Sequence, residues 1–343
     1  ISFMNQKPCY ILGIESSCDE TAAAVLNHNK VLSNCITNQE IHQQYGGVVP
    51  ELASRAHQIN IVPVVKQALK EAKININQIN AIACTQGPGL LGSLLVGNSF
   101  AKSVSMSLKI PLIAVNHMQA HLLVHFIKDE GITPPDFPFI GVNVSGGHTQ
   151  IIIVKDYFDM EIIGRTLDDA IGEAFDKCGK KIGLGYPSGP KIDSLSKIGN
   201  PKKYTFPIPK VNGLDLSYSG LKTSFINFIS RNNEETPNFI SNNLNDICSS
   251  IQYNLIKNIT NKIELAVKRT SIKSIAVGGG VSANTSLRNF LIEKKKKENW
   301  KIYIPPIPFT TDNAAMIGIA GYIKYKRKNF SNLNYEVKSK IEF

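Results

Sequence analysis

A two-lobed α/β fold is what this chain predicts, and three observations predict it. Its 343 residues make two domains, or two lobes around a cleft, the natural expectation. Short apolar runs of strand type alternate with stretches of helical spacing, which is the pattern of an α/β sheet. The order then restarts near mid-chain with a second strand–turn–strand hairpin, a repeat of architecture rather than of sequence.

Taken in order, Cys9–Ile14 reads as a strand, Glu15–Thr21 as a polar turn and Ala22–Leu26 as the returning strand. After Gly46-Gly47, Val49–Ala72 carries Ile59, Val62, Val65 and Leu69 near helical spacing. Ala81–Cys84 is a strand that runs through Gln86-Gly87-Pro88-Gly89 into a small-residue helix, Leu91–Leu108. Ile113–Val115 is a strand leading to a helix at His117, and Gly131–Pro138, with three prolines, reads as a linker. The second hairpin is Phe139–Val144, the tight turn Ser145-Gly146-Gly147-His148, and Thr149–Val154. Helix and loop follow to about Thr270. Ile275–Val277 is a strand ending in Gly278–Gly280, a helix starts near Ala283, and Ala314–Tyr325 is the last helix, expected to return to the first lobe. The lobes are expected over 8–135 plus 313–330 and over 138–312.

Composition bounds the class. Hydrophobic residues at 43% and charged residues at 19% are ordinary for globular chains and supply two cores. No apolar run approaches the ~18–20 residues that span a bilayer, so a soluble protein with no membrane partner is expected. Ile1–Tyr10 lacks a signal-peptide pattern, which makes the cytoplasm the expected location, or an organellar matrix if a transit peptide has been removed. The formal charge of +11 suits a polyanionic partner such as RNA. It suits equally a chain rich in Lys and Asn throughout, and Lys294–Lys297 reads as a solvated helix face. Six cysteines without a C-x-x-C pair argue against a structural zinc site and a disulfide scaffold, and for a reducing compartment.

Several motifs carry chemistry. Gly87/Gly89, Gly146/Gly147 and Gly278–Gly280 each follow a strand, where glycine lets backbone N–H groups approach an anion. Three such turns favour a bound nucleotide, while the lack of a Walker motif or G-x-G-x-x-G excludes a P-loop or ordinary dinucleotide enzyme. His117 and His121, four apart on one helix face, suit two imidazoles on one metal, and His125 continues that face. Met118 stands where a metallopeptidase needs its Glu, which disfavours that class. Asp312 is the leading anionic ligand, although by position alone Thr311 or Asp312 reads first as the cap of the helix that follows. Asp19 and Glu20, in the turn after the first strand, would suit a metal-bound water, a magnesium ion or an amine, but taken alone they read first as ordinary turn acids. Asp168, Asp169, Glu173 and Asp176 form an acidic stripe on an expected helix, usually a solvated feature.

Ten ordered motifs together resemble the tRNA N6-adenosine threonylcarbamoyltransferase (TsaD) family, in its bacterial and organellar branch, from Ile11 to about Tyr322. They are Gly13–Thr21 (GIESSCDET), Tyr45–His57 (YGGVVPELASRAH), Gly87-Pro88-Gly89, His117-x-x-x-His121 and Val144–Thr149 (VSGGHT). They continue with Gly172–Lys177 (GEAFDK), Tyr186–Pro190 (YPSGP), Ser219–Thr223 (SGLKT), Gly278–Asn284 and Thr311-Asp312-Asn313. The resemblance implies the actin/sugar-kinase/Hsp70-like (ASKHA) fold, two RNase-H-like lobes around a nucleotide cleft. It implies transfer of threonylcarbamoyl from threonylcarbamoyl-AMP to N6 of adenosine 37 in tRNAs reading codons that begin with A. It makes His117, His121 and Asp312 ligands of one divalent metal per subunit, Fe2+ with Zn2+ as the alternative. Asn143, Val144, Ser145, Gly146 and Gly147 would touch the substrate, and Asp176, Gly189, Asp193 and Asn284 the adenylate and its ribose. The implied partners are tRNA, a smaller fold-related subunit (TsaB-like) and an ATPase subunit (TsaE-like). The chain departs from the family at Asn116–His121, where His-His-x-Glu-Gly-His is frequent, and at Ser188, where Gly is common. The catalytic base is not identified by the resemblance. An ASKHA-fold ATPase or kinase would not need His117-x-x-x-His121, and a non-catalytic scaffold of the same fold would be expected to have lost the three ligands.

Overall fold

The structure, a computed structural model, describes residues 7–128 and 133–342; Ile1–Gln6, Phe343 and the start of the expected linker at Gly131 lie outside the described residues. Two compact units each carry one five-stranded sheet. The first unit takes Ile1–Ile41, Val48–Pro134 and Thr311–Phe343, and the second takes His42–Gly47 and Pro135–Thr310. Thr311 and Asp312 thus group with the first unit.

In the first unit, β1 (Tyr10–Glu15), β2 (Thr21–Asn27) and β3 (Lys30–Thr37) form an antiparallel meander. Then α1 (Pro50–Ala72) leads to β4 (Ala81–Gly87), and α2 (Leu91–Leu108) to β5 (Leu112–Asn116), both strands parallel to β1, in the order β3-β2-β1-β4-β5. α3 (His117–Leu123) follows β5 without a break. The central strands are apolar on both faces because helices cover both: α1 and α2 pack against the sheet, and so does α9 (Ala314–Lys326). α9 is buried around most of its circumference, from Ala314 to Ile323, as a helix enclosed on all sides must be. Gly13 permits its close approach, since a Cβ there would stand 2.8 Å from the Gly318 nitrogen.

The second unit repeats the plan. β6 (Phe139–Val144), β7 (Thr149–Asp156) and β8 (Asp159–Arg165) form a meander, and β9 (Ser274–Gly278) and β10 (Lys301–Tyr303) add in parallel, in the order β10-β9-β6-β7-β8. Between β8 and β9 lie α4 (Ile171–Lys181), α5 (Gly189–Ser196), α6 (Ser219–Glu235) and α7 (Phe239–Thr270); α8 (Thr285–Glu298) precedes β10. α7 sets Ile247, Ile251, Leu255, Ile259 and Ile263 four apart along one face, all buried in the core with Phe175, Phe225 and Tyr218.

After α9 the chain recrosses the first unit. Ser331 N donates to Leu112 O at 2.8 Å, Lys338 N to Gln86 O at 3.0 Å and Gly89 N to Ser339 O at 3.2 Å. Lys102 Nζ donates to Tyr335 O at 2.9 Å and lies 4.4 Å from the centre of the Tyr335 ring, whose hydroxyl bonds Asn98 Oδ1. Among the described residues no helix is long and apolar enough to cross a membrane.

Candidate metal centre and the turns around it

The centre is assembled entirely within the first unit. Asn116, the last residue of β5, caps α3: its Oδ1 accepts from Met118 N at 2.9 Å and Gln119 N at 3.1 Å. The cap starts the helix at His117, and one turn later His121 stands over it, the rings edge-on at 4.6 Å between centroids. Here Asn performs a defined task at a position where the family often has His.

Asp312 reaches this pair from the loop before α9. The capping role falls to its neighbour: Asn313 Oδ1 accepts from Met316 N at 3.0 Å. Asp312 Oδ1 is therefore turned to the imidazoles, 3.1 Å from His121 Nε2 and 3.4 Å from His117 Nε2, and the two Nε2 atoms are 3.1 Å apart. Three electron-rich atoms converge with too few protons to bridge every pair. Metal bonds of about 2.0–2.2 Å place neighbouring ligand atoms about 3.0–3.5 Å apart, so the spacing fits a cation bound by all three. The group can hold a metal ion, and three protein ligands leave a coordination position for a reacting molecule. His125 belongs to the following 3-10 turn, Val124–Phe126, and is not part of the group.

Behind the ligands stands Glu15, whose role the sequence reading missed. Its Oε2 lies 3.0 Å from His117 Nδ1 and accepts from Thr85 Oγ1 at 2.7 Å, while Oε1 accepts from Ser17 N. The side chain is wholly buried. A carboxylate on Nδ1 orients the ring and leaves Nε2 free to ligate. Burial alone would push Glu15 up, but facing His117 brings it below the usual range. Burial likewise opposes the charge on Asp312 and on the His117 ring. Even so, the imidazoles hold Asp312 low, and Asp312 with Glu15 holds His117 well above its usual value. The site is organised for positive charge.

The turn between β1 and β2 completes the surroundings. Ser17 Oγ is 3.3 Å from His117 Nδ1, and Ser17 O accepts from Leu90 N at 2.7 Å. Burial, then the charges of Asp312 and Asp19, hold Glu20 well above the usual carboxylate range. The Gly87–Gly89 turn is used differently from the expectation. Gly89 N–H is taken by Ser339 O, and a Cβ on Gly87 would collide with the Lys338 carbonyl, so these glycines admit a chain segment rather than an anion.

In the second unit the remaining predicted residues fall into two neighbourhoods. Asn143 and Val144 end β6, beside Gly278 of β9 in register. Gly172 N donates to Ser145 O at 3.2 Å, bringing the start of α4 to the same place. Gly146 and Gly147 are exposed, and a Cβ on either would meet nothing within 4 Å. The other neighbourhood runs along α5. Asp176 Oδ1 accepts from Ser188 N at 2.7 Å, just before Gly189. One turn on, Asp193 Oδ1 accepts from Thr285 Oγ1 at 2.7 Å beside Asn284, which caps α8. Asp176 also lines a cavity of about 360 Å3 with Gln43, Tyr45, Lys180 and Tyr186. The acidic stripe is not a helix face: Asp168 and Asp169 precede α4. Asp168 accepts from Tyr218 N at 2.7 Å, and Asp169 pairs with Lys177 and Lys222 at 2.9 and 2.6 Å.

Fold and site define a class: an ASKHA-type chain of two RNase-H-like sheets carrying a His–His–Asp group that can hold a metal. Solved structures agree on the fold. Full-length HypF in its phosphate- and nucleotide-bound form superposes with a TM-score of 0.60 at 14% identity, over 94% of this chain and 47% of that one. Component A of the Acidaminococcus fermentans (R)-2-hydroxyglutaryl-CoA dehydratase gives 0.54 at 14% identity, over 93% and 99%. The family model described as TsaD, tRNA N6-adenosine threonylcarbamoyltransferase, matches residues 30–319. Curated proteins of that name from Christiangramia forsetii and Riemerella anatipestifer are each 55% identical, the first over 99% of this chain and all of its own length, the second over 98% of each. The chain belongs to the TsaD family, and it is a transferase of the tRNA threonylcarbamoyladenosine modification.

Proposed function

We propose that the chain moves threonylcarbamoyl from threonylcarbamoyl-AMP to N6 of adenosine 37 in tRNAs reading codons that begin with A. The observation that carries this reading is the convergence of His117, His121 and Asp312, braced by Glu15, beside the turn that bears Asp19 and Glu20. An aromatic amine is a weak nucleophile. Its attack forms the N6–carbamoyl bond, expels AMP from the mixed anhydride and leaves one proton to be removed. Glu20 is our candidate acceptor, with Asp19 beside it, because a carboxylate in the turn after β1 can take the proton that the amine gives up. A divalent ion on the three ligands, Fe2+ or else Zn2+, would supply positive charge for the carbamoyl oxygen or the threonyl group.

The donor would lie on Asn143–Gly147, with its adenylate toward Asp176, Gly189, Asp193 and Asn284. Gly146 and Gly147 support this, because neither neighbouring atoms nor a left-handed backbone in this chain requires glycine there. Backbone N–H groups at such a turn can hold the departing phosphate. From the family resemblance we also infer a smaller TsaB-like subunit and a TsaE-like ATPase as partners. Six unpaired cysteines support a reducing compartment, the cytoplasm or an organellar matrix.

The test is mass spectrometry of tRNA nucleosides after incubation with threonine, bicarbonate, ATP, the adenylate-forming enzyme and the partner proteins. Threonylcarbamoyl-adenosine should appear with the chain and vanish with His117→Ala. No product above a control lacking the chain would sink the reading. If the Asp19→Asn/Glu20→Gln double variant, with metal bound, turned over normally, the proton-acceptor assignment alone would fall.

A further inference from the structure

His57 belongs to the YGGVVPELASRAH motif and lies outside the His117, His121 and Asp312 group. It lies on the inward face of α1, four residues after Ala53 and four before Ile61, both buried. An apolar side chain would be expected at such a position, and this imidazole is completely buried. Its two nitrogens bond to the two ends of one turn. Nε2 donates to the Cys18 carbonyl at 2.9 Å, and Nδ1 lies 2.7 Å from Thr21 Oγ1. A carbonyl can only accept, so the tautomer with hydrogen on Nε2 follows from the network. The ring therefore bridges residues i and i+3 of Cys18-Asp19-Glu20-Thr21, the two positions that a β-turn's own hydrogen bond would join. The residue before the bridge is fixed as well, since the Ser17 carbonyl accepts from Leu90 N at 2.7 Å.

We propose that His57 is a positioning residue for transfer: by clamping Cys18 to Thr21 it sets the direction of the Asp19 and Glu20 carboxylates. The inference rests on the assignment of the proton acceptor to that turn. The clamp is anchored in α1, whereas the metal ligands come from α3 and the loop before α9, so it can be loosened without removing a ligand. Geometry of this kind acts on the reacting step more than on binding, and a displacement of about 1 Å can cost about 100-fold.

The experiment uses full-length protein with its partners and compares His57→Asn, Thr21→Val and Thr21→Ser. Asn keeps a polar atom near the Nδ1 position and loses the reach to Cys18; Val keeps the shape of Thr and loses its hydroxyl. Both should lower kcat about 10- to 100-fold, with KM for tRNA and the metal dissociation constant within about threefold of the parent. Thr21→Ser, which retains the hydroxyl, should recover most of the rate. The His57→Asn/Thr21→Val double variant should be no slower than the worse single one, because the two side chains act as one clamp. Unchanged kcat in both single variants would overturn the proposal, and so would failure of Ser to rescue, or loss of metal in step with rate. The Asp19→Asn/Glu20→Gln variant separates the two readings. If that variant is active, the acceptor assignment fails; if it is dead while the His57 and Thr21 variants are fully active, only the clamp fails.

Discussion

Glu15 decides how His117 can ligate, and it makes a sharp prediction. In Glu15→Gln the amide NH2 can donate to His117 Nδ1, which moves the ring proton to Nε2 and blocks the ligand lone pair. Loss of such a partner typically weakens metal binding 10- to 100-fold. We expect a drop of about that size in a chelator-competition titration, with the fold retained because Gln fills the same volume; an unchanged affinity would show that Glu15 does not govern the ligand. Glu15 also marks where the sequence is silent. His117 and His121 are legible from their spacing, but Glu15 ends a run of strand residues and reads as the start of a polar turn. Its burial is set by Thr85 on β4, 70 positions away in sequence. Asp312 was ambiguous for the opposite reason: a carboxylate at a helix start looks like a cap until Asn313, the next residue, takes that part.

At the scale of elements, strands with continuous apolar runs were legible, the fully buried edge strand β5 among them, whereas the edge strands β3, β8 and β10 were not. β3 and β8 mix polar with apolar residues and exposed with partly buried and buried positions without a strict period of two, so neither was recognised. The segment after α9 has no periodicity at all and is held by backbone and Tyr335 contacts. It presses on the Gly87–Gly89 turn, and that turn's Leu90 N holds Ser17 beside His117. Truncation after Asn332 should therefore speed hydrogen exchange at Gly89 and Leu90 and weaken metal binding several-fold, while exchange in α7 of the second unit stays as it was. In that unit, Asp169 joins the start of α4 to α6 through Lys222. Burial opposes its charge, but Lys222 and Lys177 hold its carboxyl below the usual value. A depressed folded value means stability that is present above the unfolded value of about 3.9 and lost as pH falls through the folded one. Asp169→Asn should lower unfolding stability at pH 7 by about 1 kcal/mol in urea titrations, and the gap to the parent should close in acid below the folded value; a gap independent of pH would contradict the ion-pair account.

For the whole molecule, the +11 charge was the weakest signal in the sequence, and its most basic run does not by itself mark an RNA-binding surface. The Lys294–Lys297 run is partly neutralised: Lys294 meets Glu264 and Glu298, and Lys297 meets Glu293 at 2.6 Å. Ion pairs of this kind have little charge left to release counterions from a phosphate backbone. The two-sheet plan was legible because both hairpins repeat it, whereas the distribution of charge depends on which acids fold beside which lysines. The tRNA substrate still demands phosphate contacts, each adding about −0.7 to −0.9 to the slope of log affinity against log salt. Three or four contacts would weaken tRNA binding about 50-fold between 50 and 200 mM salt. We expect that loss in filter-binding or fluorescence titrations, and we expect Lys294→Ala/Lys297→Ala to leave the slope unchanged. A flat salt dependence would sever the basic charge from tRNA altogether, and a slope reduced by about two units in the double variant would move the RNA path onto α8.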